Sequence, residues 1–176
     1  MMKPNKASVI AHTIKPHGLF PNNSKLPLLI YNGVFHESDH GEAMAESFER
    51  LYESNNFKPS WRYGVYPYFH YHSNTHEILG VFSGNAELLF GGDEGIRCKV
   101  KAGDLVVIPA GVAHRSVKTS QEFCCVGGYP SSSPHYDMNY EKDTDNNKQS
   151  KILDVPIPSN DPIYGPQGPL IDKWNT

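Results

Sequence analysis

The chain has 176 residues, 16 Lys plus Arg against 19 Asp plus Glu, and a formal net charge of −3. That length suits one domain with a sizeable buried core. A slightly acidic balance without a Lys/Arg cluster argues against a nucleic-acid surface, and no apolar run approaches the roughly 20 residues a membrane helix needs. Met1-Met2-Lys3-Pro4-Asn5-Lys6 is not followed by an apolar stretch, so no signal peptide is expected. Three cysteines, Cys98, Cys124 and Cys125, have no metal-ligand spacing. Their odd number and the adjacent pair point to reduced thiols and a cytoplasmic location.

Residues 1–60 read as an irregular extension in which strand-like pieces such as Leu28-Leu29-Ile30-Tyr31 mix with Pro and Asn. One substantial helix is expected at about residues 39–55. Asp39 is positioned to cap it, with Glu42 three residues later as the reciprocal partner. Met44, Phe48, Leu51 and Tyr52 then fall on one helical face. His36 and His40 lie four apart, but solvated histidines are common at a helix start, where positive charge is disfavoured.

From residue 61 to 130 short apolar runs alternate with Gly-containing turns: Glu77–Phe82, Ala86–Phe90, Ile96–Val100, Leu105–Ile108, His114–Val117 and Phe123–Val126. Short strands at this spacing predict an all-β sandwich or barrel. Residues 131–150 are polar and read as an exposed loop. Residues 152–176 are Pro-rich but too apolar for a solvated tail. They are expected to pack as an arm on the barrel or on a second subunit, within a single domain overall.

Two segments in the barrel region read as one metal site. His70 and His72 are two apart, so in a strand they point to the same face. Glu77 follows the turn at Ser73-Asn74-Thr75, and His114 follows the turn Pro109-Ala110-Gly111. Three imidazoles and a carboxylate from neighbouring strands suit a divalent transition metal. His76 and Glu77 adjoin and face opposite sides of a strand, so only one can reach the ion. Arg62, Tyr66 and Tyr68 share parity with His70 and His72, while Ser116 and Lys118 share parity with His114. These five are candidate pocket residues. Leu79 and Val81 share the parity of Glu77, which predicts a largely apolar pocket.

These residues resemble the cupin superfamily. Gly64, His70, His72, Glu77 and Gly84 fit its first motif; Gly103, Pro109, Gly111 and His114 fit its second. One position departs: Lys118 stands where the second motif usually has Asn, which is not a ligand. More narrowly, His72-Ser73-Asn74-Thr75-His76-Glu77, Gly127-Gly128-Tyr129-Pro130, Val155-Pro156-Ile157-Pro158, Asp161-Pro162-Ile163-Tyr164-Gly165 and Gly168-Pro169-Leu170 look like the bacterial YjlB-type cupins. The resemblance implies an all-β double-stranded β-helix, a jelly-roll barrel, with one N-terminal helix. It favours Glu77 over His76, giving the ligand set His70, His72, Glu77 and His114 for Fe, Mn, Zn or Ni. It also implies a homodimer.

The reading that follows is a non-haem metal enzyme, of dioxygenase or isomerase type, acting on a small organic molecule. Glu77 is its candidate catalytic residue, moving a substrate proton. The alternatives are a metal- or small-molecule-binding cupin without turnover, and a metal-free sugar isomerase or epimerase. No effector segment such as a helix-turn-helix is visible, which weighs against a regulator.

Overall fold

A computed structural model of the protein describes residues 1–141 and 147–176. Nine strands form two antiparallel sheets. They are β1 (Ser8–Ile14), β2 (Asn23–Asn32), β3 (Phe57–Tyr63), β4 (Glu77–Ser83), β5 (Asn85–Phe90), β6 (Ile96–Lys101), β7 (Leu105–Ile108), β8 (His114–Thr119) and β9 (Cys124–Pro130). The large sheet has the order β1-β2-β7-β4-β9-β3, and the small one β6-β5-β8. This is the expected jelly roll, with both sheets contributing to one barrel.

The large sheet is covered on both faces, which explains its continuous apolar runs. In β7, Leu105 and Val107 face an outer core with Tyr31, Phe48 and Trp174. Val106 and Ile108 face the barrel interior with Leu88, Phe90 and Val100. Leu29 and Tyr31 in β2 likewise point outward while Leu28 and Ile30 point in. The first third of the chain is therefore not merely irregular. β2 pairs with β7, and Leu28–Tyr31 is apolar throughout because both of its faces are buried.

The outer face is covered by helix α1 (Glu42–Ser54). Met44, Phe48, Leu51 and Tyr52 are all buried there. Gly80 makes the close approach possible: a Cβ at that position would lie 2.6 Å from the Tyr52 hydroxyl and 2.7 Å from the Phe48 ring. The start of the helix differs from the sequence expectation. Asp39 sits in a preceding 3-10 turn, Glu37–Asp39, and the N-cap is Gly41, with no side-chain cap. Gly41 has φ 108°, a conformation open to glycine and strained for other residues.

Two short helices, α2 (Lys148–Asp154) and α3 (Pro169–Trp174), belong to the C-terminal arm. Asp161, fully buried, anchors that arm. Its carboxylate accepts hydrogen bonds from the Tyr31 hydroxyl (2.7 Å) and from the backbone N–H groups of Ile163, Tyr164 and Leu170 (2.9–3.0 Å). Trp174 donates its indole N–H to the Pro27 carbonyl. No helix among the described residues is long and apolar enough to cross a membrane.

The polar stretch 131–150 departs from a simple exposed loop. Residues 142–146 lie outside the described residues, but Asn139 is buried and pairs through its backbone with Tyr71. Ser133–Asn139 runs along the barrel mouth as a strap. The Asp137 and Asn139 side chains bind the Tyr71–Ser73 segment there.

Candidate metal centre

His114 opens β8 in the small sheet, and Glu77 opens β4 in the large one. His70 pairs with His114 through an isolated antiparallel bridge, N to O at 3.3 and 3.0 Å. This fixes the spacing between the first histidine segment and β8. The Pro109–Gly111 turn is held against it by the Gly111 N–H, which donates to the His72 carbonyl at 2.7 Å. Gly111 has φ 88°, and a Cβ there would lie 2.6 Å from the Asn22 carbonyl oxygen. A larger residue would displace the turn that delivers His114.

The three imidazoles are buried, and one ring nitrogen from each lies within 4.8 Å of the others. Each Nδ1 faces a backbone carbonyl: Tyr68 for His70 (3.1 Å), Asp137 for His72 (2.5 Å) and Val112 for His114 (3.0 Å). Donation there places the proton on Nδ1 and leaves Nε2 with a free lone pair. Backbone carbonyls commonly orient metal-ligating histidines in this way.

Glu77 Oε2 lies 3.0 Å from His114 Nε2 and 3.3 Å from His72 Nε2. Neither Oε2 nor His72 Nε2 has a hydrogen-bond partner of sound geometry. Buried acceptors facing one another without a proton between them are costly. A cation among them would resolve that cost: the three imidazole nitrogens could hold a divalent transition metal, with the Glu77 carboxylate beside two of them.

Burial pulls His70 down to about 3, with the neighbouring His114 adding to the shift. Burial also opposes charge on His72, but the Glu77 carboxylate outweighs it and raises that imidazole. Burial would raise Glu77; His72 and His114 prevail and hold it well below the usual carboxylate range. The carboxylate is therefore the anion of the site. Its other oxygen, Oε1, accepts from the Tyr129 hydroxyl at 3.1 Å, and that hydroxyl accepts from the Trp61 indole N–H at 2.9 Å.

A cavity of about 330 Å³ opens onto these groups. Trp61, Val65, Tyr66, Leu79, Tyr129 and Met138 supply much of its wall. Of the five pocket residues expected from sequence, Tyr66 lines it. Arg62 also borders it, but its guanidinium is held by Glu49 (2.6 and 2.8 Å) and Glu42 (2.7 Å) on the α1 side. β3 carries a bulge between Pro59 and Trp61, and Trp61 packs against the barrel interior. Tyr68 is half exposed and stacks on Tyr66, outside the cavity wall. Ser116 donates to the Val65 carbonyl at 2.8 Å, and Lys118 lines a separate polar groove with Lys99 and Glu87. Parity counted back from His70 does not carry to Tyr68 or to the Arg62 guanidinium, because residues 64–76 lie outside the named strands, bridging only at His70 and Tyr71.

His76 faces away from the cluster, as strand alternation requires. Its Nδ1 accepts from the Ala110 N–H at 2.9 Å, and its ring packs on Trp174. Burial lowers it to about 4, against a smaller opposing effect of the Pro156 backbone. His36 and His40 are exposed. Cys98, Cys124 and Cys125 are free thiols, and burial raises each above its ordinary value. Sequence reasoning missed Trp61, Tyr129, Tyr136, Met138 and Asp137. Tyr129 had a usable signal, since it follows Gly127-Gly128 at the end of a predicted strand; the strap residues had none.

Comparison with known proteins agrees with this architecture. The profile of the family described as Cupin domain matches residues 62–126. The Bacillus subtilis (strain 168) protein called Uncharacterized protein YjlB is 39% identical over 158 residues, covering 89% of this chain and 91% of that one. Among solved structures, a Klebsiella pneumoniae protein with a double-stranded β-helix domain is similar at 17% identity and a TM-score of 0.35, covering 80% of this chain and 86% of that one. The DMSP lyase DddQ from Ruegeria pomeroyi is similar at 16% identity and a TM-score of 0.34, covering 77% and 51%. With the double motif in place and a full-length relative at this identity, the chain belongs to the cupin superfamily and within it to the YjlB-type cupins.

Proposed function

We propose that the protein is a non-haem metal enzyme whose ion is held by His70, His72, Glu77 and His114, acting on a small organic molecule in the adjoining cavity. The observation that carries this reading is the convergence of three Nε2 lone pairs and an unpartnered carboxylate oxygen at a cavity wall. Bound there, a divalent transition metal supplies Lewis-acid polarisation of a substrate oxygen or, as iron(II), activation of dioxygen.

The chain's own residues do the rest. Trp61, Val65, Leu79 and Met138 present apolar surface that displaces water from a bound ligand. Tyr129 holds Glu77 Oε1, so the carboxylate presents Oε2 to the cavity side. Were Glu77 to release the ion, Oε2 would be free to take a proton from a carbon or hydroxyl of a molecule in the cavity and to return it. Arg62, neutralised by two glutamates, offers no free positive charge for a phosphate or carboxylate. A neutral or enolisable molecule suits the site better than a polyanion. Oxygenase or isomerase chemistry fits both the donor set and this substrate character.

The same reading keeps a cytoplasmic protein, supported by three free thiols. It also keeps a homodimer, since β1 and β3 are end strands of the large sheet with no further strand paired outside them among the described residues; light scattering tests this. The function itself is tested by metal analysis after native purification, combined with oxygen uptake and product detection across small carbonyl and enol compounds. Stoichiometric metal with turnover of one such class is the expected result. Metal binding without turnover across the panel would favour a binding cupin, and protein without bound metal that takes up none would remove the metal reading.

A further inference from the structure

The strap Ser133–Asn139 has a role that the cupin motifs do not include. Its contacts concentrate on one short segment, Tyr71–Thr75, which carries His72. The Asp137 carbonyl faces His72 Nδ1 at 2.5 Å. The Asp137 carboxylate accepts from the Ser73 N–H at 2.7 Å and from the Ser73 hydroxyl. The Asp137 N–H donates to Asn74 Oδ1 at 3.1 Å, and Asn74 Nδ2 donates to the His135 carbonyl at 3.0 Å. Thr75 donates its hydroxyl to the Ser133 carbonyl at 2.7 Å, and Tyr71 and Asn139 exchange backbone hydrogen bonds at 3.0 Å. From the same strap, Tyr136 packs its ring 5.2 Å from His72 and stacks on Tyr129 at 4.8 Å, and Met138 lines the cavity.

We propose that Asp137 is a positioning residue for the metal centre, and that the strap and the metal centre assemble together. The inference rests on the metal reading above. Its physical basis is direct. An imidazole donates through Nε2 only when Nδ1 holds the proton, and Asp137 supplies the carbonyl that fixes this tautomer and ring orientation at His72. The Asp137 carboxylate in turn fixes that carbonyl by binding Ser73, the next residue along from His72. Linkage makes the relation reciprocal: whatever an ordered strap adds to metal affinity, bound metal returns as strap stability. Because Tyr136 and Met138 form part of the cavity wall, the substrate cavity is completed by the metal-bound state.

The test uses the full chain, with Co(II) as a spectroscopic probe, and needs no substrate. Asp137→Ala is expected to weaken Co(II) binding by about 10–100-fold, the range typical of groups that orient a metal ligand, and to alter the visible cobalt spectrum. Asp137→Asn keeps an acceptor for the Ser73 N–H and is expected to lose less. In the parent protein, hydrogen exchange at Ser73, Asp137 and Asn139 should slow by about tenfold or more on adding Co(II). Amides of β6 serve as the control and should not respond. Thermal unfolding of chelated Asp137→Ala and chelated parent shows whether the variant folds. If it does not, the exchange experiment on the parent decides alone. Equal Co(II) affinity and spectra in Asp137→Ala and parent, or strap exchange indifferent to Co(II), would overturn the inference while leaving the metal reading intact. A parent that binds no Co(II) would remove both.

Discussion

Glu77 Oε2 and His114 Nε2 meet at 3.0 Å although they come from different sheets, β4 in the large one and β8 in the small one. The contact joins the two sheets at the barrel mouth, and both residues are buried. With His114 Nδ1 facing the Val112 carbonyl, Nε2 is the ring nitrogen turned to Glu77. The remainder of the interior between the sheets is hydrocarbon, from Leu28 and Ile30 to Phe90 and Val106. A polar cluster at the end of such a core is the position a divalent ion would occupy under the proposed function.

Replacing both His70 and His72 by Ala should abolish metal content, measured by mass spectrometry on natively purified protein. Neither residue belongs to the hydrophobic clusters, so the double variant should still unfold cooperatively. The parent should gain about 2.7 kcal/mol when free metal reaches 100 times its dissociation constant, and the variant should gain nothing. Equal metal content in the two proteins would place the ion elsewhere.

What the sequence revealed and what it hid divide along physical lines. That His70, His72 and His114 come together beside Glu77 was legible because motif spacing and strand alternation act over a few residues. The strand runs from Glu77 to Val126 were legible for the same reason. The direction of the Arg62 guanidinium was hidden because residues 64–69, between β3 and His70, lie outside the named strands and alternation does not carry across them. Asp39 gave way to Gly41 as the cap because the chain enters α1 with φ 108°. Asp137 was hidden because its partners are 64 residues away, and a polar run looks alike whether it binds water or another segment.

Glu77→Gln should retain weakened metal binding, because His70, His72 and His114 remain. Any turnover involving proton transfer should fall by about 10²–10⁴-fold, the usual range for loss of a general acid–base group. Tyr129→Phe releases only Oε1 and should have a smaller effect in the same direction. Steady-state rates at saturating metal separate these effects from affinity. A Glu77→Gln enzyme as active as the parent would remove Glu77 from the proton path.

His76 predicts an acid weakness distinct from the metal centre, since its ring faces Trp174 on the outer side of β4. Burial lowers its pKa from 6.5 to about 4 in the folded protein. The unfolded chain therefore binds the proton first, and stability falls as pH drops from about 6.5 towards 4. At roughly 1.4 kcal/mol per pH unit, this amounts to about 3 kcal/mol across the window. His76→Gln keeps an acceptor for the Ala110 N–H and does not titrate. Urea unfolding of both proteins without metal should show the parent's advantage shrinking by about that amount between pH 7 and pH 4. A difference independent of pH would contradict the buried neutral imidazole.

Asp161→Ala tests whether the C-terminal arm is part of the fold. The substitution strands the Tyr31 hydroxyl and the N–H groups of Ile163, Tyr164 and Leu170, at about 1–3 kcal/mol for each group left buried without a partner. Allowing for local relaxation, the loss should reach at least about 3 kcal/mol in urea unfolding. Asp161→Asn keeps one carbonyl acceptor and should lose less. Truncation after Lys151 removes Trp174 and the packing of Ile163 and Leu170 on Tyr31 and Phe48's side of the large sheet, so it should lower both solubility and the melting temperature. The arm covers apolar surface that the sheet cannot leave in water, and its loss should be felt far from the cavity. A truncated protein that melts like the full chain, or an Asp161→Ala variant as stable as the parent, would show that the sheet is sufficiently covered by α1 alone.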